Sequence, residues 1–184
     1  MNFSVEWDSI YKEGKQLAIW PMSDLVSYVM RHAKPSGNQF RVLEIGCGAG
    51  ANIPFFLSLG VEYFGVEGSS FIVDSLIKRF PMLSDSIKCG DFTIKIPFEG
   101  QFDLVVDRSS LTHNSTDAIK KCLNIVSKRL KVGGKYIGID WFSTNHSEYN
   151  KGIVAVDNNT KTDFKNGQFK DVGNVHFSDK THTN

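Results

Sequence analysis

The sequence predicts an α/β fold: a doubly wound, mostly parallel sheet flanked by helices. Three observations predict it. Short apolar runs alternate with amphipathic stretches from residue 41 to residue 141, the pattern of a sheet buried on both faces. The first run leads directly into a glycine-rich turn, "VLEIGCGAGANI" (42–53). The chain has 184 residues, the size of one domain. A chain of that length buries about 70% of the surface it exposes when unfolded, enough for one sizeable core.

Each element has its own local reason. "VEWDSIYKEG" sets Trp7, Ile10 and Tyr11 on one helical face and stops at Gly14. "WPMSDLVSYVMRHAKPSG" offers Ser23 as a cap and Leu25, Val26, Val29, Met30 and Ala33 at helical spacing, and Pro35 and Gly37 end it. "RVLEIG" (41–46) is the first strand and "NIPFFLSLG" a short helix. "VEYFGVEG" (61–68) is the second strand, followed by a helix capped by Ser69 or Ser70 and stopped before Pro81. "SIKCGD" (86–91) is a weaker third strand, and "FDLVVDRSS" (102–110) a fourth. "STDAIKKCLNIVSKRLK" is the clearest helix, with Ile119, Cys122, Leu123, Val126 and Leu130 on one stripe and basic residues in its last turn. Gly133-Gly134 should end it, ahead of a fifth strand, "KYIGIDW" (135–141).

Composition excludes several classes. Lys and Arg number 21 and Asp and Glu 20, which gives no electrostatic reason to expect nucleic acid or a membrane surface as partner. The N-terminus lacks the basic-then-apolar block of a secretory signal, and no apolar run approaches the ~20 residues that span a bilayer. Three scattered cysteines without a CxxC suit a reduced, cytoplasmic protein. No metal site is expected; His146 and Glu148 in "NHSEY" are too few ligands for one.

Glu44 is the informative residue. A carboxylate inside an apolar strand must be paired or hydrogen-bonded. "GCGAGA" fits the dinucleotide pattern G-x-G-x-x-G/A, so a nicotinamide cofactor is one reading. Glu44 opposes it, because an acid at that loop repels a pyrophosphate. A ligand bearing an ammonium or sulfonium meets the acid favourably.

"VLEIGCGAG" resembles the first motif of class I S-adenosylmethionine-dependent methyltransferases, and the chain is similar to their small-molecule, type 11/12-like members. The resemblance covers roughly residues 40 to 141 and implies a Rossmann-like fold with S-adenosylmethionine as cofactor. It implies that Gly46, Cys47, Gly48, Gly50 and Asn52 cradle the donor, with Glu44 orienting the loop or holding the methionine ammonium. Glu67, with Gly68 and Ser69 after it, matches the acid that takes the ribose hydroxyls. "CGDF" (89–92) looks like the adenine-side motif, which gives Asp91 and Phe92 that role. "FDLVVDRSSLTH" (102–113) and "LKVGGKYIGID" (130–140) look like the family's fourth-strand and pre-fifth-strand motifs, which places Asp107 and Arg108 near the donor's methionine end or the acceptor.

Methyl transfer from a sulfonium needs an in-line nucleophile and needs a base only when that nucleophile must lose a proton. His113, after the fourth strand, is the candidate catalytic base. Tyr11, Lys15 and Trp20 in the N-terminal segment are candidates for donor or acceptor contacts, and Asp140 and Trp141 after the fifth strand for acceptor contacts. "DRSS" is not the [DN]-P-P-[YF] of amino-methylating DNA enzymes, there is no Pro-Cys nucleophile, and no paired-glutamate loop of protein-arginine enzymes is visible. The expected acceptor is a small molecule, a sugar or lipid precursor included, methylated on oxygen rather than nitrogen. Alternatives are a non-catalytic or truncated nucleoside-binding module of the same fold and, with less support, an NAD-dependent enzyme.

One domain over 1–184 is expected: a helical cap or lid (1–38), a cofactor-binding core (39–141) and a polar C-terminal region (142–184). That last region lacks the helix and antiparallel strand pair that usually complete the family's sheet. Its "DFKNGQFKD" reads as a small hairpin on an Asn-Gly turn. An unpaired edge on the fifth strand would favour association between chains, and the sequence does not decide between monomer and homodimer.

Overall fold

In the computed structural model, residues 5–180 are described. The chain runs α1 (Val5–Lys12), α2 (Ser23–His32), β1 (Arg41–Ile45), α3 (Ile53–Ser58), β2 (Glu62–Glu67), α4 (Ser70–Arg79), β3 (Ile87–Cys89), β4 (Phe102–Arg108), α5 (Thr116–Arg129) and β5 (Leu130–Ile139). Four short strands follow: β6 (Phe142–Ser143), β7 (Ile153–Val154), β8 (Thr160–Thr162) and β9 (Val175–Ser178).

The main sheet has the order β3-β2-β1-β4-β5, with every neighbouring pair parallel. From β1 the chain works outward to β3, then returns to lay β4 on the other side of β1. That reversal opens a crevice at the carboxyl ends of β1 and β4, where ligands bind in such sheets. Strand alternation builds a core on each face. Val42, Tyr63, Leu104 and Val106 pack against Leu25, Val29, Phe56 and Leu76 on one face. Leu43, Ile45, Phe64, Phe102 and Val105 pack against Ile119, Cys122 and Val126 on the other. Ser69 caps α4 by accepting the Ile72 amide at 3.3 Å, and Ser115 caps α5 by accepting the Ala118 amide at 3.3 Å.

Two expectations are corrected. Gly133-Gly134 do not end α5; the helix stops at Arg129, and Leu130 already pairs with Phe102 as the start of β5. The glycines instead sit in an irregularity, where the register shifts between Phe102 and Leu104 and Gly133 takes a φ of 79°. The Asn166-Gly167 pair does not make a tight hairpin either. It lies in the long turn between β8 and β9, which are antiparallel neighbours.

The polar C-terminal region is more ordered than its composition suggests. It forms a second sheet, β6-β9-β8-β7, over a core of its own. Phe164, Phe169, Val172, Val175 and Phe177 are buried there, with Phe142 against them and Ile10 and Trp7 reaching in from α1. Among the described residues the main sheet ends at β5, with no strand on its outer edge. Among them, too, no helix is long and apolar enough to cross a membrane.

Candidate functional site

A cleft open to solvent lies at the carboxyl ends of β1, β2 and β4. β1 delivers Glu44 on the face it shares with Val42 and turns at Gly46. Gly46, Gly48 and Gly50 all take positive φ (65°, 50° and 77°), which only glycine adopts readily. The turn is also tight: a side chain at Gly46 would run into Ser110, and one at Gly50 would lie 2.5 Å from Leu76 Cδ2.

Glu44 is buried and both its oxygens are held. Asn52 Nδ2 donates to Oε1 at 2.7 Å and the Tyr63 hydroxyl to Oε2 at 2.7 Å. Asn52 in turn accepts the Met22 amide at 3.0 Å, which ties the start of α2 to the glycine loop. Burial pushes the Glu44 carboxyl up to about 7, against the pull of those two donors. The sequence signal for Tyr63 is Gly65, in the middle of β2, where a Cβ would lie 3.0 Å from Cys47 Sγ and 3.1 Å from the Tyr63 hydroxyl.

Glu67, at the end of β2, accepts the Gly48 amide at 2.9 Å and the Ser69 amide at 3.0 Å, one on each oxygen. Burial raises it and these amides oppose the rise. Each oxygen keeps a lone pair for a further donor. Asp91, in the loop after β3, is held at Oδ1 by the amide and hydroxyl of Thr93 at 2.9 and 2.6 Å. Its Oδ2 is buried without a partner. Phe92 lies beside it in the lining.

The lid side comes from α1. Tyr11 is buried over the glycine loop, and its ring sits 5.8 Å from that of Trp7. Trp7 stands edge-on to His113 at 4.7 Å. His113 lines the cleft, and its Nδ1 donates to the Asn174 carbonyl at 2.9 Å. The ring is half-buried, and its desolvation lowers it to about 4, so it is neutral at pH 7. Arg108, at the end of β4, also lines the cleft. It is paired with Asp140 at 2.9 Å and approached by Asp24 at 3.6 Å.

The structure therefore gathers Tyr11, Glu44, Gly46, Cys47, Gly48 and Asn52 around one cleft, together with Glu67, Gly68, Asp91, Phe92, Arg108 and His113. It keeps the other candidates out. Gly50 packs against α4, and Ser69 serves as the cap of α4. Asp107 is fully buried behind the cleft, accepting the Ser110 and Leu111 amides and the Tyr136 hydroxyl. Trp20 is 77% exposed and its ring is left in solvent. Asp140 and Trp141 face a different groove, between α2 and the edge of β5. Lys15 is an exposed partner of Glu13. Met22, Gln16, Ser109 and Asn114 line the cleft without having been expected there. Among the described residues no cluster of His, Cys, Asp and Glu could hold a metal ion.

Residues 42–134, half of the chain, match the family model described as a methyltransferase domain. The fold is shared with an S-adenosylmethionine-dependent methyltransferase from Clostridium acetobutylicum (TM-score 0.64, 16% identity, covering 98% of this chain and 82% of that one). It is shared with the glycopeptide N-methyltransferase MtfA in complex with sinefungin (TM-score 0.57, 25% identity, 70% and 52%). A geranyl diphosphate C-methyltransferase from Streptomyces coelicolor, in complex with S-adenosyl-L-homocysteine, is also similar (TM-score 0.56, 20% identity, 68% and 48%). The chain spans about half the length of the last two. A search of curated protein sequences finds no significant match. With the family model matched over half the chain, and with the sheet order, the glycine loop and the strand-end acids in place, the chain belongs to the class I S-adenosylmethionine-dependent methyltransferases.

Proposed function

We propose that the chain binds S-adenosylmethionine in this cleft and transfers its methyl group to a small-molecule acceptor, in a cytoplasmic setting. One observation carries the reading: buried Glu44 and Glu67 flank the glycine loop, and the described lining of the cleft offers them no free cation. Arg108 is the only Lys or Arg among the described residues of that lining, and Asp24 and Asp140 occupy it. Glu44, buried beside the loop with no cation to balance it, suits a cationic ligand and repels a dinucleotide pyrophosphate, while Glu67 suits the ribose of either cofactor.

The residues fit that cofactor. Gly46 and Gly48 let the loop backbone line the cleft with positive φ, where side chains would press on Ser110 and Tyr11. Glu67 keeps a lone pair on each oxygen for the ribose hydroxyls, and the orphaned Asp91 Oδ2 suits an amino donor such as that of adenine. The cofactor supplies an electrophilic methyl on a sulfonium, with its leaving group built in. The protein's work is to bind, orient and exclude water, with Tyr11 and Trp7 covering the loop.

His113 is the proposed general base. Being neutral at pH 7, it can take a proton from a hydroxyl as the new bond forms. An amine that arrives uncharged needs no such help, so a base at the cleft favours oxygen as the methylated atom. The N- and C-methylating neighbours share the fold alone and leave that preference to experiment.

The test is a thermal-shift titration with S-adenosylmethionine, S-adenosylhomocysteine and NAD side by side. A ligand at about 100 times its dissociation constant adds roughly 2.7 kcal/mol of stability. The two sulfur nucleosides should stabilise the protein, NAD should not, and Glu67→Ala should abolish the shift. No shift from a cooperatively melting protein would reduce the reading to likeness of fold.

A further inference from the structure

We propose that the C-terminal sheet is part of the acceptor-side machinery, and that the Asn174 carbonyl positions His113 by holding it in the Nδ1–H tautomer. The inference rests on the methyltransferase reading above and adds a part that lies outside the segment matched by the family model.

The geometry is specific. A carbonyl oxygen can only accept, so the 2.9 Å contact requires the proton on Nδ1 of His113. Among the described residues nothing else hydrogen-bonds the ring, which leaves the Nε2 lone pair as the acceptor available to the cleft. The free imidazole of histidine prefers the opposite tautomer, with Nε2 protonated. Such a ring would present a donor to the acceptor hydroxyl and could not take its proton.

The small sheet meets this segment twice. The loop before β9 contributes Asn174 at His113. The loop before β8 contributes Asp157, whose Oδ2 accepts the Thr116 amide at 2.9 Å in the first turn of α5. Asn174 itself is fixed. It follows Gly173, which has a φ of 74° and whose carbonyl accepts the Thr162 hydroxyl at 3.3 Å, and it precedes fully buried Val175 in β9. Asn159 clamps β9 further, its side chain donating to the Phe177 carbonyl and its own carbonyl accepting the Phe177 amide, both at 2.8 Å. Leu111 and Thr112, both fully buried, anchor the turn that carries His113, and Trp7 stands edge-on to its ring. Burial disfavours the imidazolium, so the single proton on Nδ1 describes the ring at neutral pH.

The experiment is a long-range 1H–15N correlation spectrum of the full chain, labelled with ¹⁵N-histidine, at pH 7. The His113 signals are assigned by their loss in His113→Gln. The expected result is a protonated Nδ1 and an unprotonated Nε2 in the wild type. Thr162→Val, which removes the hydroxyl on the Gly173 carbonyl, and Gly173→Val, which cannot keep the positive φ, should move more than half of the population to the Nε2–H form. Should Gly173→Val fail to fold, the milder Thr162→Val carries the test, with a thermal melt as control. A wild-type ring protonated on Nε2 overturns the proposal, as does an Nδ1–H ring indifferent to both substitutions. Calorimetry with S-adenosylhomocysteine on the same wild-type sample separates the two readings. Absent binding defeats the cofactor assignment, whereas the tautomer alone decides the role of Asn174.

Discussion

The Ser69 hydroxyl donates a 2.6 Å hydrogen bond to Asp8 while accepting the Ile72 amide at 3.3 Å, so the residue that caps α4 also fastens α1 over the cleft. Asp8 is held at its other oxygen by Lys12 at 2.5 Å. Ser69→Ala should therefore do two things. The lost cap should cost about 1 kcal/mol in a denaturant melt. The loosened α1, which carries Trp7 and Tyr11, should weaken S-adenosylhomocysteine binding. Asp8→Ala leaves the cap intact and should weaken binding with a smaller change in stability. Unchanged affinity in both variants would show that α1 does not close the site.

Glu44 predicts a proton released on cofactor binding. Its carboxyl titrates near 7 in the fold, against an ordinary value of 4.5. The folded state therefore holds a proton that the unfolded state loses. This contribution is fully present below about 4.5 and disappears as the pH rises through about 7, on the order of 3 kcal/mol. A cationic ligand favours the ionised form, so its affinity should rise between pH 6 and 8. Isothermal titration in buffers of different ionisation enthalpy should detect proton release near pH 6.5, and Glu44→Gln should remove it. The same release in the Gln variant would assign the proton elsewhere.

The contact between Tyr63 and Glu44 depends on Gly65. Tyr63→Phe removes the donor to Oε2 and leaves that oxygen buried and unpaired, at a cost of about 1–3 kcal/mol at pH 8, where the carboxylate is ionised. Gly65→Ala should act similarly, because its Cβ would press on Cys47 Sγ and the Tyr63 hydroxyl at 3.0 and 3.1 Å. Chemical denaturation at pH 8 checks both. A Gly65→Ala protein as stable as wild type would mean that the two strands adjust around the added methyl.

The outer edge of β5 predicts self-association. β5 is ten residues long and, among the described residues, has a strand neighbour on one side only; Val132 on it is fully exposed. Sedimentation velocity should show concentration-dependent association, reduced by Val132→Lys, whose charge resists edge pairing. A monomer at every concentration would mean the edge is protected.

The sequence by itself determined the parallel α/β architecture, the glycine loop after β1 and the acids at the ends of β1, β2 and the β3 loop. Those features are written in local patterns. A buried parallel strand is a run of apolar residues, a strand-to-helix turn needs glycines, and an acid in such a place is conspicuous wherever it occurs. What tertiary structure decided was pairing over long separations. His113 meets Asn174 and Glu44 meets Tyr63 because separate elements are stacked side by side, and no local periodicity encodes either contact. The C-terminal sheet is not legible in the sequence for a related reason. Its strands span only two to four residues, too few to show a two-residue period, and its phenylalanines come together only once the chain has folded around them. The same physics moved Trp20, Asp140 and Trp141 out of the cleft. A side chain after a strand or in a loop points where its backbone turns, and at Asp140 that turn is a positive φ of 61° that aims the carboxylate at Arg108.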